Sequence, residues 1–365
     1  MTAGLPSEWS FLFFLAPPVV AGFLLWRFAR AVRAGRFARR WPRVLAGNFL
    51  VFLFLGATAF LGGEIWFRYF YDGTDAFNSS LASRRWFVRH YQRNNLHVRD
   101  NIAYELRLAP GRRRISFVGD SFTAGHGVGD MEKRFGNLVR RAAPEFEVHV
   151  LAHPGFDTVL ETGLIQLLAS IGYEFDTVVL VYCLNDIGDL LPEWQRTLER
   201  LNSEAQSPGW LAAHSYFANT LYYRWQARRD PAVRNYFDDM KEAYRGATWA
   251  EQRELLASLR KLVSDKGGRL AVVSFPFLHA LGPEYPWRFA HEQLDAFWRE
   301  QGVPHLDLLP VFASQSPASV TLNRWDSHPN ELAHALAAEA ILKFLRELPP
   351  DTGRSPTNTA RHASP

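Results

Sequence analysis

The stretch "RISFVGDSFTAGHGV", residues 114–128, decides how this chain is read. It begins as an apolar, β-rich run, "ISFVG", and stops at Gly119-Asp120-Ser121, with glycines following at 125, 127 and 129. A buried strand that ends by offering an acid and a hydroxyl, with glycines behind them for tight backbone passage, is suited to presenting a side chain. Four more runs of the same kind follow: "EVHVLA" (147–152), "TVVLVYCL" (177–184), "RLAVVSFP" (269–276) and "HLDLLP" (305–310). Helix-period segments separate them near 132–143, 158–171, 250–266, 286–302 and 330–347. Continuous apolar strands interleaved with helices predict a five-stranded parallel sheet covered on both faces, the doubly wound, flavodoxin-like α/β layout. Ligands in that layout meet the loops at the carboxyl ends of the strands, so Asp120 and Ser121 stand where chemistry is expected.

The rest of the composition narrows the function. At 365 residues and 47% hydrophobic content, the chain can bury one catalytic-sized domain with appendages. Its net charge of +4 is concentrated, since seven arginines fall between residues 27 and 43. Without them 34 basic side chains face 37 acidic ones, which leaves no basic face for nucleic acid. The lone cysteine, Cys183, excludes an internal disulfide, a thiolate zinc site and a C-x-x-C pair. No metalloprotease, P-loop or dinucleotide motif is present, and neither a metal nor an organic cofactor is expected.

Two charge-free stretches, "WSFLFFLAPPVVAGFLLW" (9–26) and "VLAGNFLVFLFLGATAFLGG" (44–63), are each long enough to span a bilayer as helices. The arginine-rich loop between them predicts a cytoplasmic loop, with both chain ends outside. Glu8, and no lysine or arginine, precedes the first stretch, which is the wrong flank for a cleaved signal peptide. Pro17 and Pro18 are expected to kink that span. The second run is apolar on every side, unlike a core helix, and Trp66, Tyr69 and Tyr71 follow it where an interfacial belt would lie. The expected organisation is a transmembrane hairpin (1–71), a polar connecting region (72–111), a catalytic domain (112–348) and a disordered Pro/Ser/Thr-rich tail (349–365). Within the catalytic domain, residues 189–249 read as a helical insertion, either a lid or a solvent-facing excursion.

Four segments supply polar residues at predicted element ends: Gly119-Asp120-Ser121, Gly155 in "AHPGFDT", Asn185 and Asp186 in "CLNDIGD", and Asp326 and His328 in "RWDSHPN". A serine nucleophile needs a base, the base an orienting carboxylate, and a developing oxyanion fixed donors. All of these parts are present. Over residues 112–347 the chain resembles the SGNH, or GDSL, esterase/lipase superfamily. "GDSFT" matches that family's G-D-S-x-[ST] block, Gly155 its second block, Asn185-Asp186 its G-x-N-D block, and Asp326 with His328 its D-x-H block. The resemblance implies Ser121 as nucleophile, His328 as base and then acid, and Asp326 as its orienting carboxylate. It also implies an oxyanion hole from the backbone N–H groups of Ser121 and Gly155 and the side chain of Asn185. Cys183 stands where the family has glycine, and Val150 and Ala152 where relatives carry Asn and Gly.

The expected protein is thus a membrane-anchored serine esterase on the outer face of a bacterial cytoplasmic membrane. It would act through an acyl-serine on an O-acyl ester of a cell-surface saccharide or lipid. A sugar hydroxyl attacking in place of water would make it an O-acyltransferase, and a non-catalytic glycan- or partner-binding domain is the third reading. Plainer roles also exist for single residues. Ser121 could cap a helix, Asn185 and Asp186 could be turn residues, and His328 could lie in a surface loop. Asp120 is expected to bond backbone around the turn, Cys183 to be buried, and His126, His153, His291 and His334 to take no part in the chemistry.

Overall fold

Two long apolar helices open the chain in the computed structural model, which describes residues 5–37, 39–76, 79–204 and 209–349. Helix α1 (Leu12–Arg33) runs through Pro17 and Pro18, and α2 (Arg40–Ile65) continues through a π turn to Phe70. By length and composition the segments Glu8–Arg33 and Arg40–Phe70 can each cross a membrane. Phe13, Val19, Phe23, Leu45, Phe49, Phe52 and Leu55 stay exposed along them, and Glu64 is the one buried residue of α2. Helix α3 (Leu81–His90) follows, capped by Ser80, and buries Leu81, Ala82 and Trp86. The stretch read from sequence as a connecting region therefore carries packed structure of its own.

The sheet consists of β1 (Arg113–Gly119), β2 (Phe146–Ala152), β3 (Thr177–Cys183), β4 (Arg269–Phe275) and β5 (His305–Asp307), in the order β2-β1-β3-β4-β5 with every pairing parallel. Val178 to Val181 in the central strand are fully buried, as a continuous apolar run requires between two helical layers. Around the sheet lie α4 (Ser121–Ala124), α5 (Phe135–Ala142), α6 (Thr158–Ser170), the inserted α7 (Pro192–Glu204), α8 (Gly209–His214), α9 (Tyr216–Arg229) and α10 (Pro231–Arg245), then α11 (Ala247–Asp265) and α12 (Arg288–Glu300). After β5 come α13 (Leu309–Phe312), α14 (Pro317–Val320) and α15 (Glu331–Glu347).

One expectation needs correction. The fifth strand ends at Asp307 rather than running to 310, because the Asp307 carboxylate accepts the Leu309 N–H at 2.9 Å and starts α13. Asp326 and His328 stand just ahead of a helix, α15, as expected, and not in a surface loop. They sit on β7 (Asp326–Pro329), paired antiparallel with β6 (Thr321–Asn323).

The insertion folds into α7 to α10 and packs partly against the apolar hairpin. Its Trp210 packs against Phe13 and Phe14 of α1, and its Phe217 against Phe60 and Phe67. A Cβ at Gly63 would come within 2.8 Å of the Phe217 ring, so glycine permits this approach. Residues 350–365, where composition predicts disorder, lie outside the described residues.

Candidate active site

The turn after β1 is built from its smallest residue. A Cβ at Gly119 would lie 2.3 Å from Thr123 Oγ1 and 2.9 Å from the Val181 carbonyl, so only glycine lets the strand break here. Asp120 then caps α4, its Oδ1 accepting the Phe122 N–H at 2.8 Å. The cap is thus Asp120 and not Ser121, whose hydroxyl lies 3.3 Å from Asp120 Oδ2 and closer to another partner.

That partner is His328. Ser121 Oγ lies 2.8 Å from His328 Nε2, and His328 Nδ1 lies 2.5 Å from Asp326 Oδ1. In extended β7 residues i and i+2 face the same side, which accounts for the two-residue spacing of acid and imidazole. A carboxylate can only accept, so Nδ1 carries the proton and donates to Asp326, and Nε2 is left to accept from Ser121. Asp326 Oδ1 also accepts the His328 N–H at 3.1 Å, and Oδ2 accepts Thr74 Oγ1–H at 2.5 Å.

The electrostatics follow from burial working against neighbours. Burial opposes charge on Asp326, but His328 and His126 outweigh it and hold the carboxyl well below its usual range. For His328, burial lowers the imidazole and the Asp326 charge and hydrogen bond raise it, with a net upward shift. Burial is the main cause lowering His126, with the facing His328 adding to it.

Asn185 and Gly155 open onto the same cavity as Ser121 and His328, a space of about 1840 Å³. Asn185 starts the turn after β3. Its Nδ2 stands 3.5 Å from Asp120 Oδ2, and its buried Oδ1 has no hydrogen-bond partner among the described residues. Gly155 follows β2 with φ +80°, in the left-handed region that favours glycine. Trp194, Tyr236 and Phe237 from the insertion form one wall of the cavity, and Leu5, Pro6 and His214 extend it to the foot of the apolar hairpin.

Several site residues escaped the sequence reading. His126 is buried and stacks flat on His328, ring centroids 4.0 Å apart and 7° from parallel, with its Nε2 3.5 Å from Asp326 Oδ2. His126, Asp326 and His328 offer ligand atoms within 4.8 Å of one another. In two stacked rings, however, the nitrogen lone pairs lie in separate parallel planes and do not converge on one ion. Arg99, also buried, donates to the carbonyls of Ala124, Gly125 and Val128 and braces the glycine loop behind Ser121. Burial first, and then neighbouring carboxylates including Asp120, push the carboxyls of Asp186 and Glu161 well above their usual range. The signal for His126 was its place in "GHG" beside the serine, whereas Arg99 and Thr74 carried none. His291 pairs with Asp307, and His334 accepts the Phe135 N–H, both apart from Ser121. Cys183 is fully buried.

A parallel α/β sheet that gathers a hydroxyl, an imidazole and a carboxylate at its carboxyl edge defines the class of serine hydrolases with a hydrogen-bonded acid–base chain. Within that class the chain belongs to the GDSL-like lipase/acylhydrolase family, whose model matches residues 117–336. It is an ester-bond hydrolase. Among solved structures it is similar to a lipolytic protein of the G-D-S-L family from Veillonella parvula (15% identity, 65% of this chain and 100% of that one, TM-score 0.41). It is also similar to a putative lipolytic protein of that family from Desulfitobacterium hafniense (11% identity, 64% and 99%, TM-score 0.39). A third similar structure is Axe2, an acetylxylan esterase from Geobacillus stearothermophilus (15% identity, 68% and 98%, TM-score 0.38). A search of curated proteins finds no match.

Proposed function

We propose that this protein is a serine esterase that cleaves an O-acyl ester through an acyl-serine. The single observation that carries the reading is the unbroken hydrogen-bond chain from Ser121 Oγ through His328 to Asp326 at the wall of a large cavity. In the first step Ser121 Oγ attacks the ester carbonyl carbon and its proton passes to His328 Nε2. Asp326 balances the imidazolium, and the oxyanion is met by the Ser121 and Gly155 N–H groups and the Asn185 amide. The tetrahedral intermediate collapses, and the leaving alcohol takes the proton from His328. Water then attacks the acyl-serine by the same proton path, releasing the acid and restoring Ser121.

The substrate is an ester on a cell-surface saccharide or lipid. The cavity's extension to Leu5, Pro6 and His214, next to the apolar helices, favours a substrate held near a membrane. The hairpin anchors the chain in a bacterial cytoplasmic membrane, with the catalytic domain outside. Support comes from the many large apolar side chains that α1 and α2 leave exposed, which water would penalise and lipid would not, and from the arginine-rich turn that joins them.

Hydrolysis of p-nitrophenyl acetate by the full-length protein in detergent, measured beside Ser121→Ala, tests the chemistry. Equal rates would remove the esterase reading in favour of a binding domain. Acylated sugar appearing on addition of a saccharide acceptor would reassign it as an O-acyltransferase. A reporter fused after residue 365 that works only in the cytoplasm would reverse the orientation.

A further inference from the structure

The cavity, the stacked histidines and the aromatic wall of the insertion all belong to the site described above. The segment joining the apolar hairpin to α3 reaches that site from outside the residues matched by the family model. It contains Thr74, four residues beyond the end of the second apolar span at Phe70. Thr74 is 2% exposed and Asp326 1%, and the Thr74 hydroxyl donates to Asp326 Oδ2 at 2.5 Å. The same segment accepts Asn323 Nδ2–H at the Thr74 carbonyl (3.5 Å) and donates Ala76 N–H to the Trp325 carbonyl (3.3 Å). It therefore lies along the β6–β7 hairpin that carries both Asp326 and His328. On its other side a Cβ at Gly127 would stand 2.7 Å from Thr74 Oγ1 and 2.0 Å from Leu322 Cδ1. Gly127, with φ +79°, thus allows the glycine loop to close against the segment.

A two-stranded hairpin of three and four residues is not stable alone and takes its position from what packs on it. The acid's inner oxygen is held by His328. Its outer oxygen has the Thr74 hydroxyl within hydrogen-bond distance and the His126 edge only at 3.5 Å. A buried carboxylate oxygen stripped of its donor leaves its position or recruits another donor. Upstream the segment is fixed too: Arg85 donates to the carbonyls of Arg68 and Tyr71, and Glu64 of α2 accepts from Ser215 Oγ and from the Tyr216 and Phe217 N–H groups of the insertion.

We propose that Thr74 is a positioning residue for the acid–base pair, holding Asp326 in line with His328, so that the membrane-proximal segment is a working part of the active site and not a tether. This rests on the serine-esterase reading. Removing the hydroxyl lets Asp326 swing off the imidazole. His328 then loses the partner that raises it, while Asp120 and the stacked His126 remain as its charged and titratable surroundings, with Asp75 acting on His126.

The test uses full-length protein in detergent micelles and p-nitrophenyl acetate. Thr74→Val is expected to lower kcat about tenfold or more, the scale of one hydrogen bond to a charged group, with KM little changed. The acid limb of its pH profile moves to lower pH. Thr74→Ser restores most of the rate, and Thr74→Val adds nothing in an Asp326→Asn background. The proposal is overturned by a Thr74→Val rate within twofold of wild type, by Thr74→Ser as impaired as Thr74→Val, or by additive effects with Asp326→Asn. If Thr74→Val gives no cooperative melt, Thr74→Ala takes its place in the same cycle with the same expectations. Ser121→Ala runs alongside: if it hydrolyses as fast as wild type, the esterase reading itself has failed, and an active wild type with a silent Thr74 series sinks the positioning role alone.

Discussion

Glu64 and Asp326 are both buried carboxylates, one at the junction of the apolar hairpin with the insertion and one at the sheet edge. Glu64 accepts from Arg68 Nε (2.8 Å), Ser215 Oγ (2.6 Å), and the backbone N–H groups of Tyr216 (3.2 Å) and Phe217 (3.0 Å). Each donor is permanent, and two of them are the first amides of α9, so Glu64 supplements the Ser215 cap of that helix from across the fold. Asp326 is supplied almost as fully, but one donor is an imidazole whose other nitrogen faces Ser121 and the cavity. What separates a joint from a reactive centre is not how buried or how well paired the acid is. It is whether the chain of hydrogen bonds ends on a group able to take up and release a proton.

Breaking the reactive end should produce the largest effect. Ser121→Ala removes the proposed nucleophile, and kcat for p-nitrophenyl acetate is expected to fall by about 10⁶-fold, the scale of losing a residue that acts as one unit with its base. Asp326→Asn keeps the shape but invites the wrong imidazole tautomer, with an expected loss of about 10⁴-fold. Asn185→Ala removes one proposed oxyanion donor and is expected to cost about 10²- to 10³-fold in kcat with KM nearly unchanged.

The joint should answer in stability and not in rate. Glu64→Ala leaves Arg68 buried without its carboxylate and the Tyr216 and Phe217 N–H groups without their acceptor, which should destabilise the full-length protein by about 3 kcal/mol. Thermal unfolding in detergent reads this directly. A loss of activity far beyond the loss of folded protein would show that the joint also shapes the cavity. The smallest effect sharpens the contrast without any substitution. Because Asp326 raises His328, and the base must be neutral to accept the serine proton, kcat/KM should fall on acidification with an apparent pKa above the ordinary imidazole value of about 6.5. An acid limb below that value would mean that the carboxylate does not hold the imidazole in solution.

The legibility of the site in the sequence followed locality. The five-stranded sheet could be read because burial on both faces forces each strand to be apolar along its whole length, a property written into consecutive residues. Gly119 and Ser121 could be singled out for the same reason, since a strand that breaks at a fixed point must do so with residues that permit a sharp turn. The β6–β7 hairpin could not be read, because its three- and four-residue strands are too short to show a period and carry polar side chains.

Thr74, Arg99 and Glu64 were invisible for a different reason. Polar residues in a sequence look solvent-facing, and they become buried only when donors and acceptors from distant segments satisfy them: Asp326 for Thr74, the glycine-loop carbonyls for Arg99, and the start of α9 for Glu64. Local pattern thus carries the layers of the fold and the kinds of chemistry on offer. The partnering of buried polar groups across 25 to 252 residues of chain is a free-energy bargain struck only in the folded state.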